Sequence, residues 1–529
     1  MDAPSGMPRR SLLKGLVAGG VAVGVGGAVG VGGAASAGGP SLPAAGVARS
    51  ESANSWRAFD KAITSAFEQM HLVGGAVAVV SAGQVLHTKM FGVRQLRRST
   101  AVTADTHFLV ASITKSMSSL LVATYVDEGK LSWDQPVIDA WPAFRAPTSE
   151  LTQTLRVRDL LGMASGIGEP AALSGLHEGD PSAGQLLQSI VNLPVIDVPE
   201  KQFFYNNTVY AVGGYLPFLA AGVAEADLSA AYAEAMRKRV FEPTGMKGAR
   251  IADDPRGIVS NYAAGNGPDL RGKMSTLPYG PVGSYAPVGG TLATLNDMAA
   301  YVRLQLRQGA AVSDRRVVSA ANLAECWKIH ISVPVSAEYD PDAESAGYGM
   351  GWSHEKFTDG ASLISHTGGI DGFTSYIGFV PEHDLGLVVL NSMNPGPTGT
   401  LFYSYVLNLL LSERLGLNAD VPDKILAASR SVFEKLSKLG AQARPVNAVA
   451  VAPYLGYYEG GYTLTRSGRN LYLRRGPRVF PLLAMPDGSY VIAGGLLVES
   501  AVKLAHDADG TARLELVDFE TVRRTVGLN

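Results

Sequence analysis

Trp56, Phe59, Ile63 and Phe67 recur at helical spacing, so the stretch from about Ser50 to Met70 reads as an amphipathic helix. The pattern then changes to that of a sheet. Gly75 to Ser81 and Val85 to Phe91 are apolar, β-branched runs separated by Ala82-Gly83-Gln84, the signature of a hairpin. Residues 94 to 111 cross to a helix that begins at Ser112 and runs toward Glu128, where Gly129 ends it. As far as about residue 340 the chain reads as helices separated by long loops carrying Pro and Gly. Sheet period returns at Phe373 to Val380 and Leu385 to Asn391, joined by Pro381-Glu382-His383-Asp384, and Leu401 to Leu415 predicts an apolar helix behind them. This order implies an α/β domain whose sheet is assembled from its two ends, with a helical region inserted between them.

A second unit follows. Asp423 to Leu439 predicts a helix, and Ala441 to Val449 a linker with Pro445 inside it. From Ala452 onward, short runs such as Gly461-Tyr462-Thr463-Leu464-Thr465, Asn470-Leu471-Tyr472-Leu473, Ser489-Tyr490-Val491-Ile492-Ala493 and Arg513-Leu514-Glu515-Leu516-Val517 are broken by Gly, Pro, Asp and Asn. That pattern predicts a small all-β sheet or partial barrel. It carries no compact set of Cys, His or carboxylates, which argues against a second catalytic centre. The unit is expected to pack on the main domain, narrowing its cleft or giving a subunit surface to a homo-oligomer. The resulting plan is a main domain over 48–420, a helix and linker over 421–449 and a β-barrel-like unit over 450–529.

Composition narrows the function classes. The chain has 529 residues and one cysteine, Cys326, so an intramolecular disulfide is impossible and stability must come from packing. Cys326 lies in Leu323-Ala324-Glu325-Cys326-Trp327, a helix-interior pattern that suits a buried small hydrophobe better than a catalytic thiol. A net charge of −2 without a basic tract gives no footprint for nucleic acid. The histidines show no metal-ligand spacing with one another or with Cys326, and the Gly-rich stretches lack dinucleotide and phosphate-loop patterns. Neither a metal nor a nucleotide cofactor is implied.

Arg9-Arg10-Ser11-Leu12-Leu13-Lys14 stands before a run from Gly15 to Gly33 made only of Gly, Ala, Val and Leu, and Ala35-Ser36-Ala37 offers a small-residue cleavage site. Residues 1–37 resemble a twin-arginine export signal, and 38–47 read as a flexible leader. The resemblance implies transient contact with export machinery and a periplasmic or extracellular enzyme. An uncleaved signal would leave it anchored to the membrane, although the Gly content disfavours a stable spanning helix.

The chemistry starts at Ser112-Ile113-Thr114-Lys115. Three residues apart at a helix start, a hydroxyl and an amine share one face, where the amine can take the hydroxyl's proton as it attacks a carbonyl. Two distant segments accompany it: Tyr205-Asn206-Asn207 after Phe203-Phe204, and His366-Thr367-Gly368-Gly369 after the extended-looking Ala361 to Ser365. The order Ser-x-x-Lys, Tyr-x-Asn, His-Thr-Gly resembles the serine beta-lactamase and penicillin-binding superfamily, in its class C-like branch of D,D-peptidases, esterases and D-aminopeptidases. Further agreement includes Leu131-Ser132-Trp133-Asp134, Phe241-Glu242-Pro243-Thr244-Gly245-Met246 and Tyr348-Gly349-Met350-Gly351-Trp352, so it spans about residues 55 to 415. The C-terminal unit resembles the lipocalin-like β domains appended to some esterase and D-aminopeptidase members.

The resemblance implies an antiparallel sheet with helices on both faces beside an all-helical lobe, and an active site in the cleft between them. It implies Ser112 as nucleophile, activated by either base of the Lys115-Tyr205 pair, the neutral amine or the phenolate. Tyr205 would relay the proton, and Asn207 would orient Lys115 and the substrate. The backbone amides of Ser112 and Gly369 would form the oxyanion hole, with Thr367 and Gly368 lining the pocket. His366 stands where many class C beta-lactamases have Lys; it can donate a hydrogen bond and become cationic, but it offers a weaker fixed charge for an anionic substrate group. Efficient beta-lactam hydrolysis is therefore not expected. The expected substrate is a small ester, with short D-aminoacyl amides or peptides and other amides or lactams as alternatives. A catalytically silent cell-envelope binding protein on the same fold is the reading from a different class.

Overall fold

A computed structural model describes residues 53–169, 181–335, 338, 340–394, 397–476, 478–494, 497–517 and 520–527. The expected export signal and leader lie outside the described residues. The chain folds into an α/β domain with a helical lobe, followed by a small all-β barrel.

The helix read from Trp56 to Phe67 is α1 (Ala53–Gln69), and the hairpin is β1 (Gly74–Val80) and β2 (Val85–Gly92). Five further strands of the main sheet come from the far end of the domain with one short addition. They are β3 (Ile331–Val333), β4 (Ala343–Tyr348), β5 (Ser353–Phe357), β6 (Ser362–Ile370), β7 (Phe373–Val380) and β8 (Leu385–Asn391). The eight strands run in the order β2-β1-β8-β7-β6-β5-β4-β3, every pair antiparallel. β1 pairs with β8 in the register Gly75 opposite Asn391 to Val80 opposite Gly386, so the two ends of the domain meet at the sheet's interior.

All seven residues of β1 are buried, as expected of a strand covered on both faces. The pleat sends them to different cores. Ala76, Ala78 and Val80 join a large core shared with the helical lobe, while Val77 and Val79 join a second core with Phe59, Ile63 and Phe67 of α1. Within the lobe, α2 (Thr114–Asp127) and α3 (Asn207–Ala220) pack against each other, and α4 (Leu295–Leu306) lies across β1, β7 and β8. On the opposite face, α5 (Pro397–Leu415) packs against β7, β8 and α1.

The helical stretch after this domain, α6 (Val421–Gln442), is longer than its apolar pattern suggests and takes up the start of the expected linker. Eight consecutive strands then close into a barrel: β9 (Gly456–Tyr458), β10 (Tyr462–Ser467), β11 (Asn470–Arg475), β12 (Arg478–Ala484), β13 (Tyr490–Ile492), β14 (Ala501–His506), β15 (Ala512–Leu516) and β16 (Glu520–Gly527). Closure comes from pairing of β9 with β16. Tyr462, Leu464, Leu471, Leu473, Phe480 and Leu514 form its apolar core. The barrel is joined to the main domain by Leu270, Leu436, Val491 and Val498, and by a bond from Leu270 N to Ala493 O at 3.1 Å.

Candidate active site

Ser112 lies in a single 3-10 turn, Ala111–Ile113, that leads into α2, so the regular helix starts two residues later than the sequence pattern suggests. Ala111, the residue before it, has φ +48°, a left-handed conformation that an L-residue adopts only at a cost. The turn presents Ser112 to the cleft, while the first turn of α2 carries Lys115 beneath it. Lys115 Nζ donates to Ser112 Oγ at 3.0 Å and to Val288 O at 3.2 Å. The lysine is fully buried, and this desolvation lowers its pKa from 10.5 to about 7 against the opposing pull of the Glu169 charge.

Tyr205 comes from the segment leading into α3. The Lys115 ammonium position is 4.6 Å from the centre of its ring, and Ser112 lies near its hydroxyl. Burial pushes the phenol pKa well up, Ser112 opposes this and Glu169 adds to it. The two candidate bases are therefore displaced in opposite directions: near neutrality the phenol keeps its proton and the amine can lose one.

Asn206 and Asn207 divide their work at the start of α3. Asn206 is the cap: its Oδ1 accepts from Val209 N at 2.8 Å, and its Nδ2 donates to Ile167 O and Gly168 O at 3.1 Å each. Asn207 donates to Glu169 from its backbone N at 3.0 Å and its side-chain Nδ2 at 3.3 Å. Glu169 also accepts from Thr208 N at 2.9 Å and Thr208 Oγ1 at 2.7 Å. This carboxylate, 5% exposed, thus fastens the first turn of the helix that follows Tyr205, and it is felt by both Lys115 and Tyr205. Burial raises its own pKa against those hydrogen bonds. The sequence reading missed Glu169. Its only signal was a carboxylate three residues beyond the Ser165-Gly166 turn, and nothing local pointed it toward a helix N-terminus some forty residues on.

His366, Thr367, Gly368 and Gly369 lie within β6 rather than in a turn. β5 pairs with β6 only over Ser362 to Ser365, whereas β7 pairs with it through Ile370. From His366 to Ile370 the strand therefore presents an edge without a sheet partner among the described residues. Gly368 lets this strand come close to the segment before Ser112, since a Cβ there would sit 2.1 Å from Val110 O and 2.3 Å from Ser375 Oγ. Gly369 is exposed and Thr367 half-buried.

The surroundings of His366 decide its charge. It is buried, with Nδ1 2.6 Å from Thr367 O and Nε2 3.0 Å from the Tyr348 hydroxyl. A carbonyl only accepts, so Nδ1 carries the proton and Nε2 accepts from Tyr348. Burial, with the nearby Lys115 charge, lowers its pKa to about 3, which makes it a neutral group at any physiological pH.

A family model described as Beta-lactamase matches residues 59–405. The chain belongs to the beta-lactamase family. Among curated proteins this beta-lactamase-family chain is 28% identical over 395 residues to penicillin-binding protein 4 of Amycolatopsis lactamdurans, covering 74% of this chain and 93% of that one. It is 25% identical over 381 residues to an unguisins hydrolase of Aspergillus campestris, covering 69% of this chain and 66% of that one. The octameric penicillin-binding protein homologue from Pyrococcus abyssi shares the fold, with a TM-score of 0.56, 22% identity, and coverage of 88% of this chain and 99% of that one.

Proposed function

We propose that this protein is a serine hydrolase that forms an acyl-enzyme on Ser112, with a small ester as its preferred substrate. The observation that carries the reading is the buried Lys115 amine, 3.0 Å from Ser112 Oγ and with its pKa lowered to about 7. An ordinary helix lysine would be charged and solvated; this one is poised to accept a proton where a nucleophile needs to lose it.

Lys115 takes the Ser112 proton as Oγ bonds to the carbonyl carbon, and the oxygen that becomes negative lies against the Ser112 and Gly369 amides. Collapse of this adduct breaks the bond to the leaving alcohol oxygen. The proton held by Lys115 returns to that oxygen through the Tyr205 phenol. A water then attacks the acyl carbon and Lys115 accepts its proton; as the bond to Ser112 Oγ breaks, Lys115 returns that proton to Oγ, and a carboxylic acid is released. Of the two bases open on sequence grounds, the amine fits better, because burial holds Tyr205 in its protonated form. Asn207 and Glu169 hold the Tyr205 segment, and His366 acts as a neutral hydrogen-bonding group within the strand.

An ester is preferred to an amide because its leaving group demands less general-acid assistance. The neutral His366 removes a fixed cation for an anionic substrate group, so beta-lactams should acylate slowly and deacylate poorly. The Arg9-Arg10 segment and the apolar run after it support export in the folded state. The deciding experiment is a parallel panel of short-chain acyl esters, D-alanyl amides, a D-alanyl-D-alanine peptide and a cephalosporin, scored by kcat/KM, with mass mapping of the acylated residue. Ester turnover with an adduct on Ser112 is expected. Exclusive amide cleavage would replace the esterase assignment while keeping the Ser112 mechanism, and absence of any Ser112 adduct across esters, amides and a fluorophosphonate would favour a binding protein.

A further inference from the structure

The barrel touches the active-site strand through one buried ion pair. Arg478, the first residue of β12, places Nε 2.8 Å from Asp371 Oδ2, with the two side chains 8% and 5% exposed. Asp371 is two residues beyond Gly369, in the turn between β6 and β7. The turn's backbone is held from the main domain: Asn394 Nδ2 donates to Ile370 O at 2.8 Å, Gly372 N to Asn394 O at 2.8 Å, and Asn266 N to Gly372 O at 3.2 Å. The short hairpin that begins at Asn266 itself rests on the barrel, through the bridge of Asp269 with Gly494. Room for the pair has been left on the opposite wall, because a Cβ on Gly280 would lie 2.5 Å from both Arg478 Nη2 and Asp371 Oδ2.

Such a pair is a poor way to gain stability. Two charges removed from water recover their lost solvation only when the geometry is good and the remaining lone pairs are filled, and Asp371 Oδ1 is buried without a hydrogen-bond partner among the described residues. Burial raises the Asp371 carboxyl pKa, with Arg478 opposing the shift. A buried pair of this kind is better suited to fixing registry. Here there is something to register. Among the described residues His366 to Ile370 is paired only with β7, so the direction of the Gly369 N–H depends on β7 and on the turn that Asp371 occupies.

We infer that Arg478 is a positioning residue for acyl transfer: by holding Asp371, the barrel sets the end of β6 and thereby aims the Gly369 amide at the oxygen of the reacting carbonyl. The inference rests on the proposed Ser112 hydrolase, with Gly369 in its oxyanion hole. It gives the C-terminal unit a part in the reaction although none of its atoms need touch the substrate.

The test uses the full chain with Arg478→Met, Arg478→Lys and the neutral double variant Arg478→Met/Asp371→Leu, the last being the fallback if the lone Asp371 prevents folding. Active sites are first titrated with a fluorophosphonate mapped to Ser112, then kcat and KM for a short acyl ester are measured per titrated site. A misaimed oxyanion donor acts in the transition state, so kcat should fall at least ~10-fold in Arg478→Met and in the double variant, with KM within about threefold of wild type. Arg478→Lys should recover part of the loss, because it keeps a cation beside Asp371. A merely structural role would lower the number of titratable sites and leave kcat per site unchanged. Wild-type kcat per site in both Met-containing variants overturns the inference alone. A wild-type protein that is not labelled at Ser112 overturns the hydrolase reading and this inference with it.

Discussion

Replacing Lys115 with Met should stabilise the protein at neutral pH while removing its activity. The unfolded chain holds this lysine at its ordinary pKa of 10.5, and the native cleft lowers it to about 7. Above 10.5 the side chain is neutral in both states and burial costs nothing on this account. As the pH falls below 10.5, the unfolded state gains a proton that the native state refuses, and the native state loses ground until its own group titrates near 7. At ~1.4 kcal/mol per pH unit, the full penalty is about 5 kcal/mol, complete at and below neutrality. Methionine fills similar space and avoids it, but it deletes the hydrogen bonds to Ser112 Oγ and Val288 O. A stranded buried carbonyl costs about 1–3 kcal/mol, which leaves the variant ahead by about 2–4 kcal/mol at pH 6–7 and behind wild type near pH 10. All five tryptophans lie between Trp56 and Trp352, in the main domain, so urea unfolding followed by their fluorescence reads the relevant unit without the barrel. Curves at pH 6, 8 and 10 should cross. Parallel curves, or a variant less stable at pH 6, would refute the claim that Lys115 is held neutral by burial.

The same group should set the acid limb of the reaction: kcat/KM for an ester should rise with pH about a midpoint near 7 and be roughly 100-fold lower at pH 5 than on the plateau. Glu169→Gln removes the charge that favours the ammonium, so its midpoint should move to lower pH; an unmoved midpoint would show that the carboxylate acts on the helix alone. Gly368→Ala forces a Cβ into the Val110 carbonyl and should lower kcat at least ~10-fold, even if the folded protein is recovered, as read by steady-state kinetics on titrated sites. Cys326, 1% exposed and with burial raising its thiol pKa, should resist a thiol reagent in the native protein and react as one equivalent in urea; native-state labelling would contradict the packing of its helix.

Periodicity located the parts of the fold whose burial is one- or two-sided and regular. The hairpin, the strands Phe373–Val380 and Leu385–Asn391 and the amphipathic α1 all follow it closely. The barrel was less legible. Its Ala501–His506 and Glu520–Gly527 strands carry Lys, His, Glu and Arg among their apolar residues, and Arg478–Ala484 contains Pro481, so none stands out as a strand from its own residues. At the site, Ser112 and Lys115 could be joined on paper because three residues fix their spacing. The Glu169 contact with Thr208 and the Arg478 contact with Asp371 span thirty-nine and more than a hundred residues, so only the fold can bring them together. The state of His366 was illegible for a different reason: its charge depends on enclosure by Tyr348 and Thr367, which residue type does not encode.

The pairing of β1 with β8 also dictates when the Ser112 site can be completed. Gly75 waits for Asn391, and the Gly74 carbonyl for Ser392, so a growing chain has the sequence for Ser112 and Lys115 long before it has the strand that closes the sheet beside them. Contacts of such sequence separation form slowly, and until then β1 offers an apolar backbone edge to any neighbour. The nascent protein thus has an incomplete site and an adhesive edge until nearly three-quarters of its length has been made. Chains that stop short of Leu385 should accumulate as aggregates rather than as weak enzymes.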